Sequence, residues 1–162
     1  MRSEVEVSVF ATSDQNIDHQ LNRGEIVQTG DDEYLILNIG GLAHIGLAER
    51  TDIELDRLFD DELEITITRG RIVVELLDPD TTIRINTNET ETQLLEGRIS
   101  LINFDFLETI NISPWDTASG TVTTNVSKYP LYEPLSIHET SAVTTATDFE
   151  PEDPFYDWYV IR

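Results

Sequence analysis

The amino-acid sequence predicts an all-β protein, either a two-layer β-sandwich or a β-roll of short, mostly antiparallel strands. Two observations lead to this prediction. Short runs of Ile, Val, Leu and Thr alternate with charged residues at a period of two, which is typical of strands with one buried face. Gly and Asp-Asp pairs separate these runs at the spacing expected of sandwiches and barrels, and no helical period appears before the C-terminus.

The strands follow one another between turns that contain Gly or Asp. Gly readily adopts positive φ, and Asp hydrogen-bonds its own backbone. Gly70 stands in the middle of one apolar run, which predicts a bend in a continuing strand. The predicted strands lie at residues 5–9, 25–28, 34–39, 42–47, 51–55, 63–76, 83–85 and 93–103.

The last third of the chain is less regular. Ser113-Pro114-Trp115 is predicted to interrupt the apolar series, and Thr121–Asn125 can form either a strand or a loop. We therefore predict one β-domain over residues 1–147, followed by a Pro-containing linker and an aromatic C-terminal extension over residues 148–162.

The extension is predicted to begin a short helix, with a β-strand as the alternative. Asp153 and Pro154 are a good N-cap and first helical residue. Phe155, Trp158 and Tyr159 follow at spacings of three and four, which places them on one face of a helix.

The chain is strongly acidic. It has 32 acidic and 10 basic residues, which give a formal net charge of −22 and a pI near 4.1. Such a field repels phosphates, so neither nucleic acid nor an anionic membrane is expected as a partner. Three explanations stay open: a solvated surface suited to salty surroundings, cation binding, or a basic partner.

Composition also bears on the compartment. The sequence has no cysteine, which excludes disulfides, thiolate metal sites and cysteine nucleophiles. No apolar run approaches the roughly 20 residues of a membrane-spanning helix, so no membrane insertion is expected. The N-terminus lacks the basic and apolar regions of a secretory signal. The chain is therefore expected to be either cytosolic or a processed or excised piece of a longer protein.

A series of turn-and-strand motifs resembles the FecR domain family. Gly24–Gly30, with the sequence GEIVQTG, is similar to the family's G-D-x-(V/I)-x-T-G opening. An apolar strand, a Gly40-Gly41 turn and a second strand follow in the family's order. Thr51–Leu55 resembles the phrase S-x-I-x-L, and Ile65–Val74 resembles L-x-L-x-x-G-x-(V/I)-x-V. The resemblance covers residues 21–112.

The second half of this stretch departs from the family pattern. The F-x-V-x-T-P strand has no proline at Ile83–Thr87, and R-G-T-x-F is replaced at Glu96–Ile99. The resemblance implies an extracellular or periplasmic protein-interaction domain. Well-known family members are periplasmic regulators that relay transport-receptor signals to a sigma-factor system, and many others are extracellular building blocks.

No residue pattern predicts catalysis. The motifs G-x-S-x-G, G-x-G-x-x-G and the P-loop are absent, and three scattered histidines make no zinc site. We therefore expect a protein that is not an enzyme and has no cofactor. Acidic turns can offer Ca²⁺ two or three oxygens, so weak Ca²⁺ binding is predicted at Asp78 and Asp80, with plain solvated turns as the alternative.

Two further groups of residues are candidate sites. Asn88, Asn111 and Asn125 open N-x-[ST] sequons and are candidate glycosylation sites on a surface protein. Aromatic residues crowd the last third of the chain. The predicted partner-binding residues are Trp115, Phe155, Tyr156, Trp158 and Tyr159.

The aromatic residues admit two interpretations. The tail either packs back on the sandwich and covers its edge, or docks on the next copy of the chain as an aromatic anchor or added strand. The sequence thus predicts a non-catalytic extracellular or periplasmic interaction or assembly module, with protein partners that include copies of itself. Alternatives are a periplasmic regulatory domain of a sigma-factor signalling system and a carbohydrate-binding sandwich that stacks sugar on Trp115 or Trp158.

Overall fold

The computed structural model describes residues 3–13, 24–88, 90–104, 109–125, 127–138, 143–145 and 154–161. Within these residues the chain forms twelve strands and one helix. In chain order they are β1 (Val7–Thr12), β2 (Ile26–Gln28), β3 (Leu35–Ile39), β4 (Ala43–Leu47), β5 (Asp52–Leu58), β6 (Glu62–Leu76), β7 (Thr82–Asn86), β8 (Thr90–Phe104), β9 (Thr109–Thr124), β10 (Lys128–Pro130), β11 (Leu135–His138), β12 (Val143–Thr145) and α1 (Pro154–Ile161).

All twelve strands belong to one hydrogen-bonded network, in which three long strands, β6, β8 and β9, each pass through two halves. The first half-sheet runs β2, β5, the first part of β6, β7, the first part of β8, the second part of β9, and β10. The second half-sheet runs β1, β3, β4, the second part of β6, the second part of β8, the first part of β9, β11 and β12. Neighbouring strands are antiparallel except β6 and β7.

The two half-sheets share one apolar core. Alternate residues of each strand point into it, as the period-two pattern predicts. Core residues of the first half-sheet include Ile53, Leu55, Ile65, Ile67, Ile83 and Ile85. Core residues of the second half-sheet include Leu37, Ile45, Leu47, Ile72, Val74, Ile99 and Leu101. The predicted all-β fold is therefore confirmed, with the two layers formed from one continuous sheet.

Strand β6 passes from one half-sheet to the other at Gly70. This glycine has φ of +115°, a conformation that residues with a Cβ rarely adopt. A Cβ at this position would lie 2.3 Å from the Thr51 hydroxyl oxygen and 2.6 Å from the Thr51 Cα. The predicted bend lies at a corner between the two layers, and glycine is required there because the Thr51 backbone comes so close.

Buried threonines hold the same corner together. The Thr29 hydroxyl donates to the Ala48 carbonyl at 2.5 Å and accepts from the Thr51 N–H at 2.9 Å. The Thr51 hydroxyl in turn accepts from the Arg71 N–H at 3.1 Å. These bonds give the Thr-Gly end of the GEIVQTG motif a structural role, since they tie β2 to the turn before β5 and to β6.

One sequence prediction about the strands is wrong. Ser113-Pro114-Trp115 does not end the apolar series, because β9 continues through it to Thr124. Pro114 pairs with Ile99 of β8 on one side, while the pairing of β9 with β11 on the other side ends at Ile112. The missing N–H of the proline is tolerated there because, among the described residues, β9 pairs only with β8 at that point. The uncertain Thr121–Asn125 segment is the strand end that pairs with β10 as far as Thr123.

Candidate functional site

Helix α1 lies on the outer face of the second half-sheet, opposite the main core. Phe155, Tyr156 and Tyr159 are buried against this face. They form a second apolar cluster with residues of β3, of the turn after β4, and of β6. The cluster consists of Ile36, Ala48, Val73, Phe155, Tyr156 and Tyr159, with Ala11, Tyr34, Trp115 and Trp158 packed around it.

The surface beneath the helix, here called the helix groove, is lined by Gly46, Ala48, Val73 and Ser100, with Trp115 at one side. Gly46 makes room for the helix, because a Cβ there would lie 2.6 Å from Cδ2 of Tyr159 and 3.4 Å from Cζ of Phe155. Its φ is not positive, so the absence of a side chain serves packing rather than backbone conformation.

Two tyrosine hydroxyls anchor the helix to the sheet. The Tyr159 hydroxyl donates to Oε1 of Glu75 at 2.8 Å. The Tyr156 hydroxyl is hydrogen-bonded to the hydroxyl of Ser100. Both bonds satisfy polar atoms of rings that are otherwise buried, as buried tyrosines require.

Two arginines of the sheet lie against aromatic rings of this interface, three of them on the helix and one, Trp115, on β9. The guanidinium carbon of Arg71 lies 5.4 Å from the ring centroids of both Phe155 and Tyr156. That of Arg98 lies 5.0 Å from the ring of Trp115 and 5.5 Å from the ring of Tyr159. Cation–π contacts at such partly buried positions contribute on the order of 0.5–2 kcal/mol each.

Glu75 is the polar centre of this interface. It accepts from Nη2 of Arg98 at 3.0 Å as well as from Tyr159. Burial raises the pKa of Glu75, but the hydrogen bonds from Arg98 and Tyr159 outweigh burial and hold the pKa below its usual range. Burial beside this carboxylate raises the pKa of Tyr159. The neighbouring His44 has a lowered pKa because burial opposes its charged form more than Glu75 favours it.

The outer face of the first half-sheet differs in character. It carries ion pairs such as Arg69–Asp52 and Arg84–Glu62, each at 3.3 Å. The arginine of each pair is solvent-accessible, so the pairs contribute modestly to stability and give this face a charged surface. No apolar cluster forms on this face among the described residues.

The structure brings all five predicted partner-binding residues together in the helix groove. Trp115 lies at its side, with its ring edge-on to Tyr156 at 5.4 Å. The ring of Trp158 packs on the ring of Tyr34, with 5.4 Å between the ring centroids. The tail covers a sheet face rather than a sheet edge. Within one chain these rings contact its own sheet, so the prediction that they bind another molecule remains a prediction.

The predicted Ca²⁺ residues lie in the turn between β6 and β7. Oδ1 of Asp78 accepts from the backbone N–H of Asp80 at 2.8 Å, so this carboxylate closes its own turn. In the part of the chain that the structure describes, no three His, Asp or Glu side chains converge as a metal site would need. Weak Ca²⁺ binding at these two residues stays a prediction.

The three candidate glycosylation residues have different surroundings. Asn88 and Asn125 are exposed in turns that follow β7 and β9. Asn111 lies inside β9, and its Oδ1 accepts from the Ser136 hydroxyl at 2.5 Å. A glycan therefore fits the first two positions better, and modification at all three stays a prediction.

Sequence reasoning missed the half of the site that the sheet contributes, namely Gly46, Arg71, Glu75 and Arg98. A signal for it exists. Leu35–Leu37 and Ile72–Val74 are continuous apolar runs rather than alternating ones, which indicates strands buried on both faces.

Two crystal structures share the fold. One, of a provisionally assigned anti-sigma factor from Parabacteroides distasonis ATCC 8503, has a TM-score of 0.67 at 13% identity, and the match covers 79% of this chain and 62% of that chain. A second crystal structure, with the same description and from the same organism, has a TM-score of 0.59 at 16% identity. That match covers 82% of this chain and 60% of the other chain. No family model and no curated protein matches the sequence.

These matches establish the fold that the chain shares with the two proteins. The chain spans about three fifths of the length of each relative. Among the described residues no helix is both long and apolar enough to cross a membrane.

Proposed function

We propose that this chain is a non-catalytic protein-interaction domain of the FecR type that works outside the cytoplasm, in the periplasm or at the cell surface. The observation that carries the proposal is the shared fold with two provisionally assigned anti-sigma factors, over about four fifths of this chain. Function depends on particular residues as well as on the fold, and residues of this chain add support.

The glycines of the FecR-like motifs provide that support. Gly24, Gly41 and Gly70 have φ of +86°, +74° and +115°, so the backbone favours glycine at three of the motif positions, although not at Gly30. The motif series therefore reflects an ordered set of turns. Such a match is more specific than a similar composition alone.

A second candidate is the regulatory domain of a sigma-factor signalling system. It is favoured by the description of both structural relatives as anti-sigma factors. Deleting the domain from its gene and following transcription from a sigma-dependent promoter tests it. A regulatory domain changes that transcription, whereas an assembly subunit leaves it unaltered.

Site-specific photo-crosslinking in the source organism tests the proposed interaction. A photoreactive phenylalanine analogue replaces Val160, which is 59% exposed on α1, or Tyr132, which is 84% exposed before β11. The matched control is Thr68, on the ion-paired half-sheet. We expect a discrete adduct from Val160 or Tyr132 and none from Thr68. Diffuse background at all positions contradicts an interaction module.

A further inference from the structure

Three large apolar side chains stay exposed near the point where β8 passes from one half-sheet to the other. Leu77, Leu95 and Tyr132 are 45%, 43% and 84% exposed, and they are here called the corner patch. Among the described residues seven large apolar side chains are exposed, and three of the seven belong to this patch. They come from separate parts of the chain, so only the strand pairing brings them together.

The ladder between β6 and β8 places Leu77 next to Leu95. The last pair of that ladder is Leu76 with Gly97. Leu77 follows this pair by one residue, and Leu95 precedes it by two residues on the neighbouring strand. Because neighbouring strands lie only about 4.8 Å apart, the two leucines leave the ladder at the same end.

Strand β9 connects Leu95 to Tyr132. Gly120 pairs with Leu94 on one side, and on the other side its carbonyl accepts from the Leu131 N–H at 3.1 Å. Leu94 and Leu131 are buried in the main core. The residue after each of them, Leu95 or Tyr132, is exposed, and two strand spacings, roughly 10 Å, separate their backbones.

A β-bulge turns Leu95 outward. The pairing of β8 with β9 passes from Leu94–Gly120 to Glu96–Ser119 and skips Leu95. Bulges interrupt a ladder locally and re-aim a side chain. The fold therefore presents a leucine to solvent at a position where a polar side chain would satisfy the structure equally well.

Carboxylates surround the corner patch. They are Asp78, Asp80, Glu96 and Glu133. Neither Lys nor Arg occurs at 77–80, 95–97 or 131–133, which are the segments that form the patch and its surroundings. An apolar centre with a polar rim is typical of protein interfaces, and tyrosine is enriched among the residues that dominate binding energy. A partner for this surface has to bring the opposite charge.

We propose that the corner patch docks a basic segment of another protein, which packs an apolar side chain against Leu95 and Tyr132 and places Lys or Arg beside the surrounding carboxylates. The inference rests on the proposed interaction function and specifies the surface and the chemistry of the partner. A second copy of this chain is a poor occupant, because two chains of net charge −22 repel each other.

Three synthetic peptides of equal length test the proposal against the isotope-labelled full chain. The first has Lys residues around a central Leu-Trp pair, the second has Ser in place of that pair, and the third has Glu in place of Lys. We expect the first peptide to shift the amide NMR signals of Leu77, Leu95 and Tyr132 saturably. The other two should bind about tenfold more weakly or less, since each lacks one half of the recognition.

Two full-length variants separate docking at the patch from general attraction to an acidic protein. Leu95→Ser combined with Tyr132→Ser removes exposed side chains and leaves the core intact, and it should weaken binding of the first peptide about tenfold or more. The matched control is Ile26→Ser. Ile26 is 64% exposed on β2, outside the corner patch, so this variant should bind as the parent chain does.

Shifts that spread over the whole acidic surface, or equal binding by the double variant, would show general charge attraction and overturn the inference. Self-association of the parent chain that the double variant abolishes would also overturn it, because the occupant would then be a second copy. If photo-crosslinking through Val160 yields a discrete adduct while the first peptide does not bind, the proposed function stands and the corner patch is not its docking surface.

Discussion

Gly46→Ala is the sharpest probe of how α1 is held. The new Cβ would lie 2.6 Å from Cδ2 and 3.0 Å from Cε2 of Tyr159, well inside van der Waals contact. Overpacking of this kind lowers the free energy of unfolding by roughly 1–3 kcal/mol. Replacing glycine by alanine also lowers the conformational entropy of the unfolded chain, which offsets about 0.4–1 kcal/mol of that loss. The expected net loss is about 1–2 kcal/mol, which lowers Tm by roughly 2–8 °C for a chain of this size.

Urea unfolding measures this loss, and tryptophan fluorescence locates it. The chain has two tryptophans, and both lie at the helix interface. If the new methyl group displaces α1, the emission should shift to longer wavelength before the sheet unfolds. If the interface overpacks in place, fluorescence and circular dichroism should change together.

A double-mutant cycle isolates the contact. In a Tyr159→Ala background the ring is gone, so Gly46→Ala should cost about 1–3 kcal/mol less than it does in the parent chain. Gly30→Ala is the matched control, since its Cβ would meet only Glu33 at an ordinary 3.4 Å. Equal costs of Gly46→Ala in both backgrounds would refute the packing argument.

Three further predictions concern the corner, the carboxylate and the net charge. Gly70→Ala should lower the free energy of unfolding in urea by roughly 4 kcal/mol or more, because the new Cβ would lie 2.6 Å from the Thr51 Cα and φ is positive. Gly41→Ala is the control: its φ is also positive but its Cβ would lie in open space, so it should cost only about 1–2 kcal/mol. The pKa of Glu75 in the folded chain lies below its ordinary value of 4.5. Ionised Glu75 therefore contributes its full stabilisation of the fold above pH 4.5, and this stabilisation is lost as pH falls through the folded pKa. Glu75→Gln should therefore flatten the pH dependence of unfolding there, and an unchanged profile contradicts this. Raising NaCl from about 0.1 M to 1 M shortens the Debye length from roughly 10 to 3 Å and so screens repulsion among the carboxylates of a chain with net charge −22. The urea concentration at the unfolding midpoint should therefore rise. A fall would show that repulsion among these charges does not limit the stability of the fold.

The fold class follows from the sequence because its signals are local. Leu63, Ile65 and Ile67 alternate with polar residues and are buried in the structure, and Gly70 marks the bend in β6. The strand prediction failed at Pro114 because a proline fits inside a strand where its missing N–H faces no partner strand. At Pro114 the pairing of β9 with β11 has already ended. Pairing between distant strands of this kind is not encoded in a local pattern.

The site divides in the same way. The aromatic tail is conspicuous in sequence, since its rings are close together and follow a good helix start. Arg71, Glu75 and Arg98 looked like ordinary polar positions of half-buried strands. They become part of a site only because β6 and β8 pair and place them beneath α1. The helical spacing also left Tyr156 off the predicted face, although the Ser100 hydroxyl holds it in the interface.

The central structural claim is that the aromatic tail packs on the outer face of the second half-sheet. Through-space NMR contacts in the uniformly labelled full chain test it most directly. We expect contacts from the Tyr159 ring to the Gly46 Hα protons and from the Tyr156 ring to Ser100. If these contacts are absent while those between β4 and β6 are present, α1 does not occupy the groove, and the tail does not pack on this face of the sheet.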